Sequence, residues 1–110
     1  MQSEEYDYLH LSIMNIEPKI YFYHARSEPR FTMAGTYEGD ELNLAISLCS
    51  ERDHFIKKLG RIKSTGRLKS KNAKHITVGK TIHKVKTFRD TVIKLTKDKT
   101  KKDLIKEFQL

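Results

Sequence analysis

Cysteine is almost absent from this sequence. Cys49 is the only one in 110 residues, and a single thiol excludes an internal disulfide and a cysteine-based zinc site. No apolar run approaches the roughly 18 residues that a membrane-spanning helix needs. The N-terminal stretch from Met1 to Asp7 is acidic and has no apolar signal segment. We therefore expect a cytoplasmic protein that has no membrane partner.

Recognised catalytic and nucleotide-binding motifs are also missing. The sequence contains no phosphate loop of the Walker type and no glycine fingerprint for a dinucleotide. No helix-turn-helix or other DNA-binding module is recognisable, so nothing indicates sequence-specific readout of bases. These absences predict a non-enzymatic protein that needs no cofactor.

Basic residues are scarce in the first half of the chain and abundant in the second. Residues 1–50 contain three Lys or Arg and eight Asp or Glu, a net charge of −5, whereas residues 51–110 contain 19 and six, a net charge of +13. This segregation indicates contact with nucleic acid or another polyanion. The alternative is that the lysines only keep the protein soluble, although a surface built for solubility mixes both signs.

The hydrophobic pattern of the acidic half, residues 1–49, is that of β-strands. Leu and Ile alternate with small or polar residues over positions 42–48, which predicts a strand with one buried face. Apolar runs at 6–13, 19–24 and 31–37 predict further strands, and Glu38-Gly39-Asp40 predicts a tight hairpin.

The basic half, residues 50–110, changes to a helical period. A helix is predicted to begin at Ser50, whose side chain can cap the first turn, and to end at Gly66. Phe55, Leu59 and Ile62 recur at i, i+4 and i+7 and predict the helix face that packs on the sheet.

The remainder of the basic half predicts shorter elements. Residues 67–74 resemble a loop, residues 75–85 a small hairpin and residues 87–95 a helix, and Thr100 is expected to cap one more helix. We therefore predict one domain over residues 1–110, of the α+β class. It has an antiparallel β-meander of three to five strands, followed by a basic helix and C-terminal helices.

The basic helix and the loop after it carry the predicted binding site. Nine cations within 23 positions offer many phosphate contacts, and their affinity for a polyanion should fall steeply with salt. In Gly60-Arg61 and Gly66-Arg67, the glycine admits a phosphate and the arginine offers a bidentate fork, unless the glycines only cap and pack. The predicted site residues are Arg52, Lys57, Lys58, Arg61, Lys63, Arg67, Lys69, Lys71 and Lys74.

Several partners fit this surface. The first is nucleic acid or a nucleoprotein complex. The second is a host protein, bound through the basic half or through the acidic half acting as a mimic of nucleic acid. The third is a small phosphorylated nucleotide that the protein sequesters. An exposed edge strand would also allow a homodimer.

Two short segments resemble a known catalytic pattern. His10-Leu11-Ser12-Ile13 and His75-Ile76-Thr77-Val78 resemble the paired signature of the two-histidine phosphoesterases. The resemblance implies that His10 and His75 act as general base and acid on a phosphodiester. The hydroxyls of Ser12 and Thr77 would hold the phosphate. We favour the simpler interpretation, in which both histidines are ordinary strand residues.

A longer stretch resembles another group of proteins. The run Cys49-Ser50-x-x-Asp53-x-Phe55, continuing through Gly60-Arg61 to Gly66-Arg67-Leu68, is similar to runs in short accessory proteins encoded by bacteriophages. Such proteins often inhibit host defence by binding complexes that contain nucleic acid or by sequestering nucleotide signals. The resemblance therefore implies a small inhibitory binding protein.

Overall fold

Within the residues that the structure describes, the chain forms one four-stranded antiparallel sheet and three helices, which confirms the predicted α+β class. The computed structural model describes residues 19–50, 54–70 and 73–110. The strands lie in the order β1-β2-β3-β4, and helix α1 comes between β3 and β4 in the chain. In chain order the elements are β1 (Tyr21–Ala25), β2 (Phe31–Glu38), β3 (Glu41–Leu48), α1 (Lys57–Lys69), β4 (Lys74–Thr77), α2 (Lys84–Thr96) and α3 (Lys101–Glu107).

The β2–β3 hairpin is the longest pairing in the sheet and confirms the predicted turn. Its register runs from Phe31 opposite Leu48 to Glu38 opposite Glu41. Gly39 takes a φ of 64° at the turn, a conformation that glycine adopts without steric cost. The strand predicted at positions 6–13 lies outside the described residues.

Helices cover both faces of the sheet. On one face, Met33, Leu44 and Ile46 are buried against α2 and α3, which contribute Phe88 and Leu104. The opposite face also becomes buried over much of β2 and β3, because α1 packs there on small side chains. These side chains are Thr32, Ala34, Ala45 and Ser47. The prediction of a single buried face for β3 was therefore wrong.

Helix α1 sits close to the sheet because its contact face is built from small residues. A Cβ added to Gly60 would overlap Oγ1 of Thr32. Ser64 is fully buried and its hydroxyl donates a 2.7 Å hydrogen bond to the carbonyl of Gly60. The predicted contact stripe was wrong, since Leu59 and Ile62 point outward and are 48% and 59% exposed.

The predicted bounds of α1 were also wrong. The helix begins at Lys57, with Ile56 as an N-cap that makes no side-chain hydrogen bond. The predicted cap at Ser50 lies seven residues earlier. Gly66 does not end the helix, which continues to Lys69.

The C-terminal elements match the prediction in part. Thr100 and Asp103 form a reciprocal capping box at the start of α3, as expected. The hairpin predicted over residues 75–85 is wrong, because β4 pairs with β3 and the chain then leads into α2, which begins at Lys84 rather than Thr87. None of the helices in the described ranges is long and apolar enough to cross a membrane.

Candidate polyanion-binding site

Helix α1 carries six basic residues and no carboxylate in its 13 positions. Five of them are exposed, and none takes part in an ion pair within the described residues. Lys57 and Arg61 are four residues apart, and like charges at this spacing destabilise a helix. The exposed cations of α1 are Lys57, Lys58, Arg61, Lys63 and Lys69.

The N-terminus of α1 concentrates this positive charge. No acidic residue lies in its first turn, and the N-cap residue Ile56 makes no side-chain hydrogen bond to its free amides. Lys57 and Lys58 stand at the end of the helix where the dipole is already positive. A bound anion would therefore stabilise this end of the helix.

Two other predicted site residues have partners within the fold. Arg67 is half-buried, and its Nη1 donates a 2.7 Å hydrogen bond to the carbonyl of Ile46. Pairing between β3 and β4 stops at Leu44. The guanidinium therefore donates to the Ile46 carbonyl, which no residue of β4 reaches. Lys74 forms a 2.9 Å ion pair with Glu107.

The remaining two predicted site residues, Arg52 and Lys71, lie outside the described ranges. The structure therefore brings five of the nine predicted cations together as an exposed set on one helix.

A cluster around Phe55 adds residues that the sequence did not predict. The ring of His24 lies edge-on to that of Phe55 with centroids 6.0 Å apart, and the Arg26 guanidinium is 6.0 Å from the Phe55 centroid. Burial lowers the pKa of His24, and the charges of Lys57, Arg61 and Arg26 lower it further. Arg26, which directly follows β1, and cations of α1 therefore converge at this point.

A cavity of about 500 Å³ lies next to this cluster, between the first half of α1 and the sheet. We call it the Phe55 cavity. Phe55 and Leu59, which the sequence placed in the core, form part of its wall instead. The residues lining the cavity are Thr32, Ser47, Leu48, Cys49, Ser50, His54, Phe55, Ile56, Leu59, Gly60 and Lys63.

Of the two histidines in the pattern that resembles the phosphoesterases, the structure describes only His75. His75 is exposed on β4, and its Nδ1 contacts Oδ1 of Asn43 on the neighbouring strand. Thr77 lies on the same face of β4 as His75, as alternation requires. His10 lies outside the described residues, so the pairing stays a prediction. In the part of the chain that the structure describes, no group of His, Cys, Asp and Glu could hold a metal ion.

Comparison with known proteins yields no relative. No protein-family model matches the chain, and neither the curated proteins nor the solved structures contain a match. The function therefore has to be inferred from the geometry and charge of this molecule.

Proposed function

We propose that this protein is a non-enzymatic binder of nucleic acid, or of a complex that contains nucleic acid, and that α1 is the binding element. The observation that carries the proposal is the set of five exposed cations of α1, which have no ion-pair partner among the described residues.

The charge pattern of α1 is unfavourable for the isolated protein. Like charges four residues apart repel each other, and two lysines stand at the positive end of the helix dipole. Phosphates bound along α1 would remove both penalties. The free energy released by neutralising these charges is largest when the partner is a polyanion.

The exposed surface of α1 favours contact with the sugar-phosphate backbone. Lysine and arginine side chains alternate there with the exposed apolar side chains of Leu59 and Ile62. This surface offers charge and apolar contact. It does not present the set of hydrogen-bonding side chains that recognise base edges in a groove. Binding is therefore expected to depend little on sequence.

An inhibitory role is part of this proposal. The resemblance of residues 49–68 to phage accessory proteins implies an inhibitor of host defence. A basic helix that occupies nucleic acid in a host complex would act in this way in the host cytoplasm.

Salt dependence tests the proposal directly. Fluorescence anisotropy with a labelled 20-nucleotide single strand and the matching duplex measures affinity at 50 and 200 mM salt. If all five cations contact phosphates, the duplex affinity should fall by about 500-fold over this range, and the single-strand affinity by about 100-fold.

Poly-L-glutamate of matching charge is the control for a general polyanion effect. It should compete weakly, because its charge is less dense than that of the duplex, which carries one charge per about 1.7 Å of helix axis. Absence of micromolar binding at 50 mM salt, or an affinity that salt leaves unchanged, would overturn the proposal.

A further inference from the structure

We infer that the Phe55 cavity binds a single nucleotide, with its base on the apolar wall and its phosphate toward the cations of α1. This inference rests on the proposed function and adds the part of the nucleic acid that is recognised. It also extends the ligand class to free mononucleotides, which share the same chemistry.

The size and wall of the cavity suit a nucleotide. Its volume of about 500 Å³ lies within the usual range for small-molecule sites. Leu48, Phe55, Ile56 and Leu59 form the apolar wall, and Ile56 and Leu59 remain 50% and 48% exposed. Apolar side chains exposed around a concavity are typical of a ligand-binding surface.

Ser47 provides an independent indication that a polar ligand enters. The residue is only 6% exposed and lines the cavity, yet its hydroxyl has no hydrogen-bond partner among the described residues. Every fully buried polar side-chain atom in those residues does have a partner. The Ser47 hydroxyl must therefore keep accessible surface, and the cavity that it lines supplies it. A ligand group that fills this space can hydrogen-bond to it.

The charge around the cavity selects an anion. Lys63 lines the cavity directly. Lys57, Arg61 and Arg26 act together on His24, whose ring contacts Phe55 in the cavity wall. A ligand with a planar apolar part and a negative charge satisfies both the wall and the cations, and a nucleotide has both.

Cys49 provides a built-in measurement, because it lines the cavity and is the only cysteine of the chain. The rate at which Ellman's reagent modifies its thiol should fall when the cavity is filled. The probes are adenosine monophosphate, uridine monophosphate and a single-stranded oligonucleotide, with inorganic phosphate at equal ionic strength as the control. We expect at least about fivefold protection by saturating nucleotide, and little by phosphate alone.

Two matched pairs of variants separate the cavity from the rest of the basic surface. Leu59→Ala removes an exposed apolar side chain from the cavity wall, whereas Ile62→Ala removes one that does not line the cavity. Lys63→Gln and Lys94→Gln form the corresponding pair of cations, since Lys94 is an exposed lysine of α2 outside the proposed site. Leu59→Ala should weaken mononucleotide binding about tenfold, Lys63→Gln should weaken it measurably, and both controls should leave it within twofold.

The outcomes separate the cavity from the proposed function. Protection by the oligonucleotide alone supports the cavity as a site for one nucleotide of a strand, and protection by a mononucleotide supports a site for free nucleotide. Protection by mononucleotides without any oligonucleotide binding supports the cavity and overturns the proposed function. Oligonucleotide binding without protection of Cys49, and with each variant matching its control, overturns the cavity and leaves the proposed function standing. Protection by no probe overturns the cavity inference.

Discussion

On one face of the sheet, α2 and α3 pack large apolar side chains such as Phe88, Val92 and Leu104. On the other face, α1 packs through Gly60, Ser64 and Leu68 and turns Leu59 and Ile62 outward. The charges differ as well. Helix α1 has six cations and no carboxylate, whereas α2 contains Asp90, which pairs with Lys86, and α3 contains Glu107, which pairs with Lys74 and Lys99.

This contrast assigns different roles to the two faces. Large side chains in close contact supply most of the free energy of folding, so the α2–α3 face is expected to dominate stability. The α1 face packs mainly through small side chains, and α1 itself carries six cations and no carboxylate, which suits a binding surface.

Truncation in the α2–α3 core should have the largest effect on stability. Leu104→Ala removes a fully buried side chain and should lower the free energy of unfolding by about 3 kcal/mol. Urea denaturation followed by circular dichroism measures it. Ile62→Ala, at an exposed position of α1, is the control and should cost less than 0.5 kcal/mol. Equal losses in the two variants would contradict the division of roles.

The two glycines of α1 should respond to alanine in opposite directions. Gly60→Ala places a methyl group against the Thr32 side chain, so α1 must move away from the sheet at a cost of about 1–3 kcal/mol. At Gly66, nothing lies within 4 Å of an added Cβ, so Gly66→Ala should stabilise the helix by up to about 1 kcal/mol. Thermal denaturation of both variants measures the change in stability. Destabilisation by Gly66→Ala would contradict the open space around this position.

How α1 packs was the main feature that the sequence did not predict. Hydrophobic periodicity selects the most apolar face, and Leu59 and Ile62 made that face look like the core. Close packing on a sheet instead required small residues, and Gly60 and Ser64 with Leu68 at i+8 were the signal for it. The β2–β3 hairpin and the Thr100 cap were predictable because each depends on neighbouring residues alone.

The candidate site was predictable only for the residues that are close in sequence. The cations of α1 follow from the charge distribution along the chain. His24 lies in β1 and Arg26 directly follows that strand, and only the order of the strands brings them to Phe55. Arg67 was predicted to bind phosphate, and its contact with the Ile46 carbonyl depends on where β4 stops pairing, which no local pattern encodes.

Acid should weaken the α2–α3 face by a small amount. Hydrogen bonds from Lys74 and Lys99 hold the pKa of Glu107 below its ordinary value of 4.5. The stabilisation is therefore complete above pH 4.5 and is lost as the pH falls through the lower pKa of the folded state. Glu107→Gln should cost at most about 1 kcal/mol at pH 7.

Urea denaturation between pH 3 and pH 7 measures the contribution of Glu107. The stability of the Glu107→Gln variant should vary less with pH than that of the unmodified protein. Glu38→Gln, at an exposed position in the β2–β3 turn, is the control and should preserve the original profile. A profile unchanged by Glu107→Gln would exclude the ion pairs as the cause.

The central claim is that binding depends on where the positive charge lies and not on its total. The triple variant K57Q/K58Q/K69Q removes three exposed lysines from α1, and K94Q/K97Q/K102Q removes three exposed lysines from the region of α2 and α3. Both variants lose the same net charge. The measurement is the slope of log affinity against log salt concentration for a duplex oligonucleotide. We expect the slope to become shallower by about 3 for the α1 variant and to stay within about 0.5 of the original for the other variant. Equal changes in the two variants would contradict the account and leave net charge alone as the cause of binding.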